Sequence, residues 1–197
     1  MIAELGHFVL VLALVVAAVQ AIAPIYLART APDIALSIAS RASYLQFILI
    51  LLAFAALSYG FVRSDFSLAV VFANSHVAKP LIYKIAGVWG NHEGSMLLWV
   101  LIVAAYGAAY ARFTDTKDSF AARVLIVQGW LGVAFLAFLL FTSNPFARLL
   151  PAPFSGQGLT PILQDPALAA HPPLLYAGYV GFSMAYAFAL AALTGAD

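Results

Sequence analysis

The chain has 197 residues, 64% of them apolar and only 9% charged, where an ordinary soluble domain is about 25% charged. A formal charge of +1 leaves no basic face for nucleic acid, and no charge run or low-complexity tail suggests a disordered binding arm. With no cysteine there is no disulfide, thiolate ligand or thiol nucleophile, so any thiol chemistry falls to a partner.

Uncharged runs of spanning length lie at Leu5 to Ala28, Ala42 to Val62, Gly94 to Ala111, Val124 to Ala147 and Pro172 to Ala196. A spanning helix needs roughly 17 to 25 such residues, which predicts an all-α, polytopic integral membrane protein with about five transmembrane helices in one membrane domain over residues 1–197. The first run lacks the Lys/Arg start of a secretory signal, and Pro24 follows the cleavage-like Ala21-Ile22-Ala23, so it is read as a retained span. Turn formers collect between the runs, at Pro32, Asp33 and Ser37, at Thr114, Asp115, Lys117 and Asp118, and from Pro145 to Pro172.

Loops 29–41 and 112–123 hold five Lys/Arg, whereas the much longer 63–93 and 148–171 hold four. The positive-inside rule then makes the short loops cytoplasmic, the N-terminus external, and His7, His76, His92 and His171 all residents of the outer side. Within outer loop 63–93, Phe66 to Ala78 is too short to span and Pro80 to Gly90 carries Tyr83 and Trp89 as amphipathic anchors, which predicts short interfacial or re-entrant helices. Loop 148–171 holds Pro151, Pro153, Gly156, Gly158, Pro161 and Pro166, which predicts turns and extended pieces instead of a long helix.

The chemistry-bearing residues concentrate in Trp89-Gly90-Asn91-His92-Glu93-Gly94-Ser95, at the start of the third span. Such polar density beside a membrane-grade segment costs solvation energy unless it is wet, paired or bound. It reads either as a polar platform at the rim of a site, with Ser95 capping the helix, or as an interfacial belt with Trp89 at headgroup level. His171 precedes Pro172-Pro173, residues tolerated in a first helical turn, and stands at the mouth of the fifth span near Tyr176. An imidazole held there offers a ring nitrogen to a metal beside a helix end that favours anions; the alternative is an ordinary interfacial histidine. Glu4 and His7 lie one helical turn apart, which suggests a Glu-His hydrogen bond, and His76 reads as a loop histidine. Gln46 and Gln128 are the main polar side chains within the spans and read as interhelical contacts. No paired carboxylates, phosphate loop or intramembrane acid is present, so the sequence points to no catalytic residue.

Lys79-Pro80-Leu81, continued through Trp89 to Ser95 and Met96-Leu97-Leu98-Trp99, resembles the first outer loop and following helix of CcmF-type proteins. Ala170-His171-Pro172-Pro173-Leu174-Leu175-Tyr176-Ala177-Gly178-Tyr179-Val180-Gly181 resembles that family's segment carrying an extracytoplasmic haem-ligand histidine. The resemblance extends over nearly the whole chain, including Glu4, Gly6 and Pro24, and points to the CcmF, NrfE and CcsA haem-handling proteins of bacterial cytochrome c haem lyases. It implies an inner-membrane protein working at the periplasmic face, with haem b as substrate. A haem chaperone of CcmE type would deliver the haem, and CcmH/CcmI-type subunits would hold apocytochrome c, whose cysteines take the vinyl groups as thioethers. By the same resemblance His171 is an axial ligand of the haem iron, and Trp89 to Ser95 form a signature of less defined role.

The chain stops before the tryptophan-rich outer segment, the second outer histidine and the two membrane-buried histidines that the resemblance implies. It is therefore expected to be the N-terminal portion of a longer protein or one piece of a split subunit, inactive alone and able to supply one axial ligand. The alternative is a small polytopic transporter or a respiratory-complex assembly subunit. A transporter would show a polar, discontinuous helix at mid-membrane, and these spans offer only Gln46 and Gln128.

Overall fold

The computed structural model of the chain describes residues 1–27, 30–114 and 119–195. The predicted span ends Ala28 and Ala196, and the loop residues Arg29, Asp115, Lys117 and Asp118, lie outside them. The described residues are helical with no strands, and five helical stretches are long and apolar enough to cross a membrane. The molecule is thus a multi-pass helical membrane protein.

Helix α1 (Ile2–Leu27) packs most extensively on α2 (Pro32–Arg63) and then on α6 (Ser119–Thr142). Helix α5 (His92–Phe113) closes the bundle against α2 and α6. In lipid no hydrophobic force drives helices together, so close backbone approach and interhelical hydrogen bonds do the holding. A Cβ on Gly129 of α6 would fall 2.8 Å from the Ala21 nitrogen of α1, and one on Gly132 would fall 2.3 Å from Gln46 Nε2 of α2. Gln20, fully buried, donates from Nε2 to the Leu125 carbonyl at 2.9 Å beside the first of these contacts. The core around them is formed by Leu10, Ile50, Leu57, Phe61, Leu97 and Leu136.

The connection predicted over 29–41 is much shorter than its turn formers suggested. Pro32 stands at the first turn of α2, where its missing N–H is no loss, and Asp33 in that turn complements the helix dipole, so Ser37 and Arg41 are helical. The fourth span runs Ser119–Thr142 instead of Val124 to Ala147, because Pro145 prevents continuation and Asn144 Oδ1 accepts the Phe146 N–H at 2.9 Å to form a turn.

Between α2 and α5 lie two short helices, α3 (Ala69–Asn74) and α4 (Leu81–Ala86), as the length of those apolar runs predicted. Segment 147–158 lies along α3: Ala69 N–H donates to Ala147 O, Leu149 N–H to Ser67 O, and Gln157 N–H to Phe72 O. A 3-10 turn (Pro161–Gln164) then leads to α7 (Pro166–Val180) and α8 (Phe182–Leu193).

The fifth span differs most from expectation. It begins at Pro166, inside the predicted loop, because Asp165 caps it by accepting Ala167 N–H at 2.9 Å and Leu168 N–H at 3.0 Å, with Pro166 at the first position. Pro172 and Pro173 are interior residues of α7. Gly181 separates α7 from α8, yet its own backbone is helical (φ −54°, ψ −28°), so the span has a one-residue irregularity and no unwound centre.

Candidate functional site

The signature Trp89 to Ser95 joins five separate elements. Asn91 is the N-cap of α5: its Oδ1 accepts the Gly94 N–H at 2.7 Å, while its Nδ2 donates to the carbonyls of Gly87 at 2.7 Å and Val88 at 3.1 Å beyond α4. The capping role predicted for Ser95 thus belongs to Asn91, which precedes the first turn; Ser95 Oγ donates back to the His92 carbonyl at 3.0 Å. Gly94 sits where a Cβ would lie 1.6 Å from the Val88 oxygen, so only glycine fits. Gly90 lies against Leu159 and Leu163, and Glu93 occupies the first turn of α5, where the dipole favours an acid.

His92 reaches the end of α6. Its Nε2 is hydrogen-bonded to Ser143 Oγ at 2.8 Å, and its ring meets Phe138 edge-on at 6.3 Å. The next residue, Asn144, hydrogen-bonds His7 Nδ1 at 3.3 Å, so two histidines distant in sequence gather at adjacent residues of one turn. Glu4 does not serve His7, as its spacing suggested; it pairs with the chain amino group at 2.5 Å and with Arg148, which also reaches Asp65 at 3.5 Å. His76 is a loop residue whose Nδ1 accepts the Ala78 N–H at 3.2 Å. The neighbouring Lys79 is half-buried and donates to the Asn74 carbonyl at 3.0 Å; burial, then the charge of Lys84, lowers its pKa from 10.5 to about 8.

His171 stands in the second turn of α7, not at its cap, because the helix starts at Pro166. Residues Ala169, Pro172, Pro173, Tyr176 and Val180 are buried or half-buried and recur at helical spacing, so they form the face packed on the bundle. His171, Leu174, Leu175 and Tyr179 are exposed on the other side. His171 is exposed and has no hydrogen bond among the described residues. Among the described residues no three His, Asp or Glu side chains come together, so His171 stands outside any preformed metal cage.

Backbone groups that the prolines and Gly181 leave unpaired are served by neighbouring elements. Pro173 withholds the N–H that the Ala169 carbonyl would accept in a regular helix, and Trp89 Nε1–H donates to that carbonyl at 2.8 Å. Eight residues on, the irregularity at Gly181 turns its N–H to the Tyr179 carbonyl, and the Ala177 carbonyl is taken by the Tyr106 hydroxyl of α5 at 2.5 Å. Trp99 of α5 meets Tyr176 edge-on at 5.4 Å and Tyr179 at 5.8 Å. Gln128 donates to the Ser183 carbonyl of α8 at 3.1 Å, the interhelical role its position suggested.

Two hollows flank this arrangement. An apolar groove of about 340 Å³ runs along α7 and α8, walled by Trp99, Phe135, Tyr179, Phe182, Ser183 and Tyr186. The larger one, about 540 Å³, opens at the end of α2 among Arg63, Asp65, Lys84 and Phe154, away from His171. Its charged rim suits water and ions, so size alone does not mark the functional surface.

A five-span helical membrane protein with a polar signature wired to a proline-containing, histidine-bearing helix is the class that the fold and site define. Residues 89–196 match the model of the cytochrome c assembly protein family, and the chain belongs to that family. It is 60% identical over 194 residues to the cytochrome c-type biogenesis protein ccl1 of Rhodobacter capsulatus, covering 98% of this chain and 30% of that protein. It is 45% identical over 197 residues to the cytochrome c-type biogenesis protein CcmF of Escherichia coli K12, covering 98% and 30%. Among solved structures it is similar to a cytochrome c haem lyase CcmF, with a TM-score of 0.82 and 29% identity over 100% of this chain and 31% of that one. The chain thus spans about three-tenths of the length of the relatives it matches.

Proposed function

We propose that the chain is the N-terminal, haem-handling portion of a cytochrome c haem lyase subunit in the bacterial inner membrane, with its histidine-bearing end in the periplasm. His171 supplies one axial ligand to the iron of haem b, which is the substrate, and residues beyond this chain supply the rest of the haem site. The observation that carries this reading is the accessible His171 imidazole, on the open face of a helix whose other face is fastened to the bundle. The family membership and the biogenesis names of the relatives support the same reading.

The chain's own share of the chemistry is placement. A neutral imidazole with a free ring nitrogen is the state that ligates iron, and an apolar wall of Tyr179 and Phe182 on α7 and α8 with Trp99 of α5 lies along the same helix. Thioether formation adds each cysteine S–H across a vinyl double bond, sulfur to one carbon and hydrogen to the other, so it requires no oxidant. The thiols come from the apocytochrome, since this chain has none. A haem chaperone of CcmE type and CcmH/CcmI-type apocytochrome-holding subunits are the partners this role calls for.

The test is cytochrome c maturation in cells that make this chain together with the remaining length its relatives carry. His171→Ala is expected to abolish maturation and to alter the haem spectrum of the membrane protein. Normal maturation by that variant would remove His171 from the mechanism.

A further inference from the structure

The proline pair that follows His171 creates a specific backbone deficit one turn away. In an α-helix each carbonyl accepts the N–H four residues on, so Pro172 and Pro173 leave the carbonyls of Leu168 and Ala169 without helical donors. The turn bounded by those carbonyls contains His171. A carbonyl freed in this way is costly away from water, and in membrane helices neighbouring groups re-satisfy it. For Ala169 that neighbour is Trp89, eighty residues away in sequence, whose indole nitrogen is 2.8 Å from the oxygen.

Trp89 is itself held firmly. It sits between Val88, which is fully buried and whose carbonyl Asn91 engages, and Gly90, which is wedged against Leu159 and Leu163. Asn91 then locks the segment to the start of α5. The indole N–H is therefore a fixed donor, while the turn it serves is the weak point of a helix on the edge of the bundle. We propose that Trp89 is a positioning residue for His171: its indole N–H supplies the hydrogen bond that Pro173 denies to Ala169, and so sets the pitch of the turn that aims the imidazole. The inference rests on the reading of His171 as a haem ligand only for its consequence at the iron; the positioning itself is a property of this chain.

This wiring makes a prediction that a space-filling role for the indole does not. Trp89→Phe keeps a half-buried aromatic ring and removes the donor. Pro173→Ala gives the Ala169 carbonyl a helical N–H of its own. The donor lost in the first variant is therefore restored by the second, from inside the helix.

The experiment uses the protein in its full length, purified in detergent and studied both before and after haem loading. Amide hydrogen exchange over residues 168–175 is expected to accelerate roughly tenfold in Trp89→Phe and to return to the parent rate in Trp89→Phe/Pro173→Ala. In the haem-loaded protein, Trp89→Phe is expected to shift the reduction potential and the low-spin spectrum, and the double variant to restore both. Unchanged exchange in Trp89→Phe overturns the positioning role, and so does accelerated exchange that Pro173→Ala fails to reverse, since that marks a loss of packing volume. If the exchange results follow expectation while His171→Ala leaves the haem spectrum untouched, the ligand reading falls and the backbone role of Trp89 stands.

Discussion

Asn91 carries three hydrogen bonds at the point where α4 turns into α5, one as a cap and two to carbonyls that no helix serves. Asn91→Ala is expected to cost about 1–2 kcal/mol for the cap alone. Asn91→Asp keeps the cap, loses the two amide donations, and should fall between the parent and alanine in thermal unfolding. If the signature braces the site without touching iron, Asn91→Ala also lowers maturation while the haem spectrum persists; loss of that spectrum in a folded His92→Ala protein would contradict this. Lys79 allows a chemical check at the same end. Its folded pKa of about 8 lies below the ordinary 10.5, so the unfolded chain binds the extra proton between those values. The group therefore disfavours the fold below about pH 8, and that penalty is relieved as pH rises from about 8 to about 10.5. Amine labelling of Lys79 should show a midpoint near pH 8, ahead of exposed lysines; a midpoint at the ordinary value would mean that the side chain is fully solvated.

At the scale of elements, hydrophobic length is written plainly along the chain, whereas the points where helices begin are not. Pro32-Asp33 and Asp165-Pro166 have the composition of turns, although each pairs a first-turn proline with an acid suited to a helix start. The Asp165 cap was therefore legible in principle, and it moves His171 from the helix mouth into its second turn. Tyr106 and the Ser143-Asn144 pair had no such local signal, since their partners lie at Ala177, His92 and His7 in other helices. The α1 and α6 contact likewise depends on Gly129 meeting the backbone of Ala21. Gly129→Leu should force these helices apart, break the Gln20 to Leu125 hydrogen bond, and cost about 1–3 kcal/mol, seen as a lower unfolding midpoint in detergent. Tyr106→Phe should loosen α7 at Ala177 without moving the midpoint as far, because one hydrogen bond is worth about 1 kcal/mol.

Across the whole molecule, the helices form a four-span core with the fifth span on its edge: 17% of the fifth span's apolar window is buried, against 39–50% for the others. An edge position leaves the His171 face of α7 open. His7 and His92 meet at the end of α6, and Trp89 ties the same end to the helix of His171. The absence of cysteine makes orientation directly measurable. His76→Cys is expected to react with an impermeant maleimide from the periplasmic side, and Thr114→Cys, at the opposite end of α5, only after the membrane is opened. The reverse pattern would overturn the periplasmic assignment. Composition, run lengths and the spacing of arginines by themselves determined the membrane class, the five spans and the two short helices, because solvation in lipid acts on every residue separately and leaves its record in local hydropathy. The join between Trp89 and Ala169 was decided only by the tertiary structure: Pro173 announces in the sequence that a carbonyl will lack a donor, but which distant group supplies one depends on how the helices pack.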